Sequence, residues 1–268
     1  MIHRFLPINV TRTIVGLLLV ICNPMAISTA TAHYIDKQKQ QQFIKDFRSF
    51  QFSPKLILTS NYVWRGVSQS DNHPAIQGNL LWHDKLGLYS GLFGTNANFK
   101  GTNDQPVTSE FQLYTGYKAD YAGFMYDVGV RRYIYPNAVG PDFTEGFFLV
   151  GYGIFNAGIA RSNEVSTLYG DGGTYHGTYY SAQVLYELPL NVHETSILKH
   201  LKIGGHIGRY NFSSSNLRDN SYTDYRLSVA KSYPLITFEL AWTDTSNAYA
   251  FIAQRTKSMV ALSMIVCW

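Results

Sequence analysis

The chain has 268 residues, 15% of them charged and 15% aromatic, with 20 Tyr, 16 Phe and 22 Gly. Soluble domains carry about 25% charged residues, and disorder needs high charge with few aromatics, so this charge-poor, Tyr-rich composition excludes a disordered chain. It also excludes a coiled coil or helical bundle, which would be rich in Ala, Glu, Lys and Leu, and a net charge of +4 without a Lys/Arg cluster excludes a nucleic-acid surface of the usual kind.

The first 32 residues read as a signal peptide. Arg4 and Arg12 give a positive start, Ile14 to Ile21 an apolar core, and Ala30-Thr31-Ala32 a small-x-small cleavage site before His33. A lipoprotein signal ending at Cys22 is the competing reading, but Ile21 is too large before the Cys. Cleavage after Ala32 removes Cys22 and leaves Cys267 alone, so no intrachain disulfide can form. No apolar run reaches the length of a transmembrane helix. The reading is of an exported chain, either a periplasmic protein or an outer-membrane barrel. Residues 33–54 read as an N-terminal periplasmic extension. Phe43, Phe47 and Phe50 recur at helical spacing there, so a short helix and a disordered segment both stay open.

From residue 55 onward the dominant signal is period-2 alternation, the mark of strands. Strands are expected near 55–66, 75–83, 86–97, 110–118, 124–132, 143–152, 154–162, 178–188, 200–210, 222–231, 235–244 and 257–268. The last is the clearest, with Val260, Leu262, Met264, Val266 and Trp268 on one face. That face is expected to meet lipid. Connections alternate between polar loops (67–74, 98–108, 136–142, 163–173, 211–220, 245–256) and tight turns at Asp84-Lys85, Asp120-Tyr121, Gly153 and Ser232 to Pro234. The stretch 189–199 takes a turn's place but is long. Long loops on one side and short turns on the other are the pattern of a transmembrane β-barrel. The expected fold is all-β, a transmembrane antiparallel up-and-down barrel of about twelve strands over 55–268, with ten or fourteen open because 75–83 and 143–162 alternate weakly. A periplasmic sandwich also alternates. Against it stand polar faces of Gly, Ser and opposite charges, an aromatic girdle (Trp64, Trp82, Tyr117, Trp242, Trp268) and a terminal aromatic after an alternating strand, the form of a barrel-assembly signal with Trp in place of the usual Phe.

Thr59-Ser60-Asn61-Tyr62-Val63-Trp64-Arg65-Gly66-Val67-Ser68-Gln69-Ser70 closely resembles the opening strand of the TorF family of bacterial porins. Pro74 to Gly78, Gly87 to Gly91, Glu110, Tyr114 to Tyr117, Asp127 to Gly129, Tyr135-Pro136, Glu145 and Trp242 to Thr245 match the family in order. The resemblance spans roughly 55–268 and implies an outer-membrane pore passing small hydrophilic solutes. It implies outer-membrane lipid, lipopolysaccharide and the barrel-assembly machinery as partners, and a Gram-negative outer membrane as location.

No catalytic motif appears: there is no G-x-S-x-G, H-E-x-x-H, phosphate-binding loop or C-x-x-C. His200 and His206 share a strand face but lie about 20 Å apart, too far to share a metal. No cofactor, metal or catalytic residue is expected. His176 with Tyr179 and Ser181 is the nearest candidate for a lipid-acting enzyme on the outer wall, and an ordinary surface His is the plainer reading. The charges expected to line the lumen are Arg65, Glu110, Lys118, Asp127, Arg131, Glu187, Lys202, Asp224, Arg226 and Glu239. They read either as mutually paired filler or as a selective eyelet. Arg65 is expected to point inward from a strand whose Tyr62 and Trp64 face lipid, paired with Glu110, Glu239 or another inward acid. Two alternatives to a channel stay open: a closed structural or surface-binding barrel using loops 163–173 and 245–256, and the lipid-acting enzyme.

Overall fold

The computed structural model describes residues 51–100, 105–136, 138, 142–166, 174–189, 198–212, 221–246 and 255–268. The expected signal peptide, most of the extension, and the segments 167–173, 190–197, 213–220 and 247–254 lie outside them. The alternating rows form β1 (Gln51–Thr59), β4 (Ala75–His83), β5 (Leu88–Lys100), β6 (Pro106–Tyr121), β7 (Phe124–Ile134), β8 (Phe143–Tyr152), β9 (Phe155–Ser166), β10 (Thr174–Glu187), β11 (Leu201–Phe212), β12 (Tyr222–Ser232), β13 (Ile236–Ser246) and β14 (Met259–Cys267). Each pairs antiparallel with the next, and β14 pairs back onto β1, which makes a closed barrel of twelve strands. Two short strands, β2 (Val63–Trp64) and β3 (Val67–Ser68), pair only with each other. The weakly alternating stretches 75–83 and 143–162 are wall strands, so twelve holds over ten or fourteen.

Closure fixes which face each residue presents, because the side-chain period is two and the register is continuous. Lys55, Asn79, Phe93, Gln112, Tyr133 and Phe143 follow one another strand to strand as cross-strand partners on the inner face. The outer face carries the apolar row of every strand, with Leu227 59% and Leu262 57% exposed. Val260 and Trp268 of the last strand are exposed on the same side, and Met264 and Val266 are half-buried between neighbours. β1 starts at Gln51, four residues before the expected barrel boundary, because Phe52 continues the alternation and pairs with Trp82.

The turns obey local chemistry. Ala122 and Gly123, between β6 and β7, both have positive φ (53° and 82°). That is a two-residue turn whose twist matches antiparallel strands. The turn side also holds the start of β1 and the end of β14, where the Trp268 N–H donates to the Pro54 carbonyl.

The inner face divides into two halves. Toward the long connections it is packed with rings. Ala97, Phe99, Val107, Tyr133, Tyr135 and Phe143 form one buried cluster, and Val67, Ala160, Tyr179, Tyr210, Phe212 and Tyr222 form another. Toward the short turns it encloses a cavity of about 1170 Å³ bounded by Lys55, Asn79, Tyr89, Lys118 and Leu149, and by turn residues Asp84 to Gly87.

Deleting residues 259–268 removes the closing strand and leaves β1 and β13 with unpaired edges. Refolding should then give no heat-modifiable band by gel electrophoresis, whereas the full chain should migrate faster unheated than boiled.

Candidate functional site: a hairpin inside the barrel

Residues 60–74, expected to continue β1 and then loop outward, instead fold into the lumen. Strand pairing in the wall stops at Thr59. Asn61 then becomes a hub. Its carbonyl accepts from Thr59 Oγ1 at 2.9 Å, and its Oδ1 accepts from Ser68 Oγ at 2.6 Å. Ser70 Oγ accepts from the Tyr62 N–H at 2.9 Å and donates to the His73 carbonyl at 2.6 Å. Ser68 and Ser70 are fully buried. The backbone of this segment therefore satisfies itself, as a buried loop must. Arg65 and Gly66 both adopt positive φ (48° and 77°), which closes the two-residue turn between β2 and β3. A Cβ on Gly66 would stand 2.5 Å from Thr245 Cγ2 and 2.6 Å from Asp224 Cβ, so only glycine lets the tip reach the far wall.

This geometry corrects the expectation for Tyr62 and Trp64. Neither faces lipid, and Trp64 is no part of a girdle. Tyr62 is 8% exposed and its hydroxyl donates to Glu110 Oε1 at 3.2 Å. Trp64 packs between the two ring clusters, 5.8 Å from Tyr133 and 6.1 Å from Tyr210 between ring centroids. The physical reason is the turn. Period-2 alternation extrapolates through Ser60 and Asn61, but their hydrogen bonds and the Arg65-Gly66 reversal take the chain out of the wall.

Arg65 is the centre of the site. Its Nη2 donates to Glu145 Oε2 at 2.7 Å, with both side chains almost wholly buried. Its guanidinium carbon lies 4.2 Å from the Tyr179 ring centre, 4.4 Å from Trp64 and 5.0 Å from Tyr210. These are cation–π distances in a water-poor setting, where each contact is worth about 1–2 kcal/mol. Ser162 Oγ lies 3.5 Å from the same Glu145 oxygen. The partner is thus Glu145 on β8, neither Glu110 nor Glu239. Glu110 is held instead by Tyr62 and by Gln112 Nε2 at 2.5 Å.

The other expected lumen charges sit at different depths. Arg131, the cross-strand partner of Glu145, lies over Tyr114 and Phe147 at 5.3 and 5.7 Å. Asp127 accepts from the Tyr89 hydroxyl at 2.6 Å and pairs in register with Lys118. Asp224 accepts from Tyr179 Oη at 2.9 Å and lies 3.1 Å from His206 Nε2. Arg226 bonds Glu239. Glu187 and Lys202 stand 3.8 Å apart at the exposed turn end, where His200 Nδ1 reaches Glu187 at 2.8 Å.

His176 is exposed, whereas the Tyr179 hydroxyl is engaged by Asp224 and lies 2.9 Å from His206. The three residues His176, Tyr179 and Ser181 therefore form no nucleophile–base arrangement. His200 and His206 likewise have separate partners. Among the described residues no three His, Cys, Asp or Glu side chains gather as metal ligands. Sequence reasoning missed the seat of Arg65. Glu145 enters only as a position matching the family pattern, and Tyr179 and Tyr210 carry no local signal for a cage.

Fold and site together define a closed antiparallel β-barrel with its first long connection inserted into the lumen. The chain belongs to the bacterial family described as "Bacterial protein of unknown function (Gcw_chp)", whose profile matches residues 46–267. No curated protein matches it. Among solved structures it is similar to the NanC porin at 12% identity, over 81% of this chain and 98% of that one, with a TM-score of 0.49. It is also similar to OccAB3 of Acinetobacter baumannii at 8% identity, over 82% of this chain and 65% of that one, with a TM-score of 0.41. A third is OmpT, an outer membrane protein of Vibrio cholerae, at 10% identity over 82% and 99%, with a TM-score of 0.37.

Replacing Arg65 with Ala leaves Glu145 buried without its cation, and removing one partner of such a pair costs about 3–5 kcal/mol. Urea unfolding of the refolded barrel should show a loss of that size for Arg65→Ala and a much smaller further loss when Glu145→Ala is added. Equal, additive losses would mean that the two side chains do not act on each other.

Proposed function

We propose that the protein is an outer-membrane channel for small hydrophilic solutes that its own inserted hairpin holds shut at rest. The single observation that carries this reading is the placement of β2 and β3 across the lumen above a large cavity lined by both charged and apolar side chains. A barrel whose only task were structural could fill its interior with wall side chains. Here the wall leaves room for a cavity of about 1170 Å³, and a separate segment closes it.

The membrane setting is supported by the outer face. Soluble monomers rarely expose contiguous apolar patches beyond a few hundred Å². This chain exposes Ile76, Leu92, Phe111, Val128, Leu240 and many more around its whole girth. Closure pairs the sheet edges, which lipid demands. The exposed apolar rows would meet outer-membrane lipid and lipopolysaccharide, and the alternating last strand ending in Trp268 is the form of segment that barrel-assembly machinery engages. The TorF resemblance of residues 59–70 points the same way. In this reading the lumen charges work in two layers. Arg65 and Glu145 form the closure, while Asp127, Lys118 and Arg131 line the vestibule and bias which ions it admits.

The test is single-channel recording of the refolded full chain in a planar bilayer. The native barrel should give rare, small steps. A variant with residues 63–68 replaced by Gly-Gly should open about tenfold more often or more, because the plugged state is no longer favoured. A hairpin-deleted barrel that is heat-modifiable, and so folded, yet electrically silent would overturn the channel reading and leave a structural barrel. The two ring clusters that pack the loop half favour that second reading.

A further inference from the structure

The wall around Arg65 is built as a receptor for a guanidinium group. Four consecutive strands contribute to it: Glu145 from β8, Ser162 from β9, Tyr179 from β10 and Tyr210 from β11. The two tyrosine rings stand at 85° with centroids 5.8 Å apart, forming two walls of a corner. A buried carboxylate supplies the counter-charge, with Glu145 3% exposed. We propose that this corner is the channel's solute-binding seat, that its solutes are small cations bearing a guanidinium group, and that Arg65 occupies it as a tethered stand-in for the solute. The proposal rests on the reading of the hairpin as a closure.

Three observations argue that Arg65 is a displaceable occupant rather than the best one. First, the tether restricts its bonding. Arg65 bonds Glu145 through Nη2 alone, and Nη1 is buried without a hydrogen-bond partner among the described residues. A free guanidinium can turn its planar fork toward the carboxylate and bond through two parallel N–H groups, the stronger arrangement. Second, Arg65 holds the seat from a backbone with φ of 48°, a conformation that side-chain-bearing residues seldom adopt. The turn therefore fixes how the side chain approaches Glu145, whereas a free solute can choose its approach. Third, the seat is reachable. Arg65, Glu145, Tyr179 and Ala160 all line the cavity that runs to the short-turn end, so a solute in the vestibule meets the seat without crossing the hairpin.

The charge balance fits a cation. With Arg65 withdrawn, Glu145 loses its hydrogen-bonded counter-ion, and a buried carboxylate without a hydrogen-bonded cation favours a replacement. Arg131, in register with Glu145, lends it charge at a distance but lies over Tyr114 and Phe147 and makes no hydrogen bond to it among the described residues, so it does not fill the corner. Preference for guanidinium over a quaternary ammonium follows from the need for an N–H donor. Preference over a primary ammonium follows from the flat faces of Tyr179 and Tyr210, on which a planar cation stacks.

The experiment uses the refolded full chain with methylguanidinium as the probe, and sodium and tetramethylammonium at equal ionic strength as controls. In Arg65→Ala the seat is vacated. Saturation-transfer NMR should show methylguanidinium bound with millimolar affinity, and Arg65→Ala, Glu145→Gln should weaken it at least tenfold. In the bilayer, methylguanidinium should block Arg65→Ala steps and should raise the opening frequency of the native channel. Arg65→Lys keeps the charge but cannot stack or fork, so it should fold if Arg65→Ala does not and should be displaced at lower probe concentration than the native side chain. Absence of saturable binding to both variants, or binding that Glu145→Gln leaves unchanged, overturns the seat. The two readings fail separately. A silent hairpin-deleted barrel alongside specific binding to Arg65→Ala removes the channel and keeps the seat, whereas a conducting deletion with no binding removes the seat and keeps the channel.

Discussion

The interior of the barrel depends on one buried ion pair. Arg65 and Glu145 meet at 2.7 Å among aromatic rings, with both side chains almost wholly buried. Taking both charges out of water costs several kcal/mol each, and their mutual attraction offsets that only where the geometry is good and further contacts help. Here the help comes from the rings of Trp64, Tyr179 and Tyr210 against the guanidinium. Such a pair adds little net stability compared with apolar packing, but it is exacting about position. The hairpin cannot shift by much without leaving a bare carboxylate in the wall. The pair therefore sets where the hairpin sits, and the hairpin sets where the lumen is closed.

Strand number explains why a hairpin is needed at all. Eight-stranded barrels are filled by their own side chains, and barrels of 16 to 18 strands leave an aqueous channel. Twelve strands fall between. The wall residues alone fill the loop half only with the help of Val67 and Trp64, both from the hairpin, which pack into the two ring clusters. The turn half receives no such insert and keeps its cavity. One end of the lumen is thus a packed core of the kind found in soluble proteins, and the other is open space. Charge is present in both halves: Lys55, Lys118 and Asp127 border the cavity, while Glu110, Glu145 and Asp224 are buried near the rings.

The wall was legible in the sequence because a barrel repeats one rule twelve times. Residues 257–268 alone show the alternation, and neighbours in register extend it. Even the weak stretches 75–83 and 143–162 had to be strands once both sides were occupied. The hairpin was not legible because its chemistry is local and unrepeated. Val63, Trp64 and Val67 are good strand formers, and with Ser68 they do form strands, but with each other. The decisive residues are Asn61, Ser68 and Ser70, whose side chains replace the wall's backbone partners, and Gly66, whose missing Cβ makes room against Asp224 and Thr245. Each is an ordinary polar or small residue in a polar stretch. Glu145 was hidden for another reason. It is 80 residues from Arg65, and only closure of the wall brings β8 to the hairpin tip.

The hairpin's own bonding bears on how it could move. The hydrogen bonds donated by Ser68 Oγ to Asn61 Oδ1, by the Tyr62 N–H to Ser70 Oγ and by Ser70 Oγ to the His73 carbonyl lie within residues 60–74. They travel with the segment. Its polar ties to the rest of the barrel include Arg255 Nη1 to the Ser68 carbonyl and Asn61 Nδ2 to Met259 Sδ, and others fall at two places. At the base, the Ser60 N–H donates to the Leu262 carbonyl and the Asn98 N–H to the Gln69 carbonyl. At the tip and shaft stand Arg65 with Glu145 and Tyr62 with Glu110. A segment that is internally satisfied, fixed at its base and held at its tip by charge is suited to two discrete positions rather than to gradual melting. Backbone groups that stay paired in both positions carry no desolvation cost on moving. In the proposed channel, opening costs the tip contacts together with the packing of Trp64 and Val67 in the ring clusters, and a solute that satisfies Glu145 in place of Arg65 would offset only the share that falls on the ion pair.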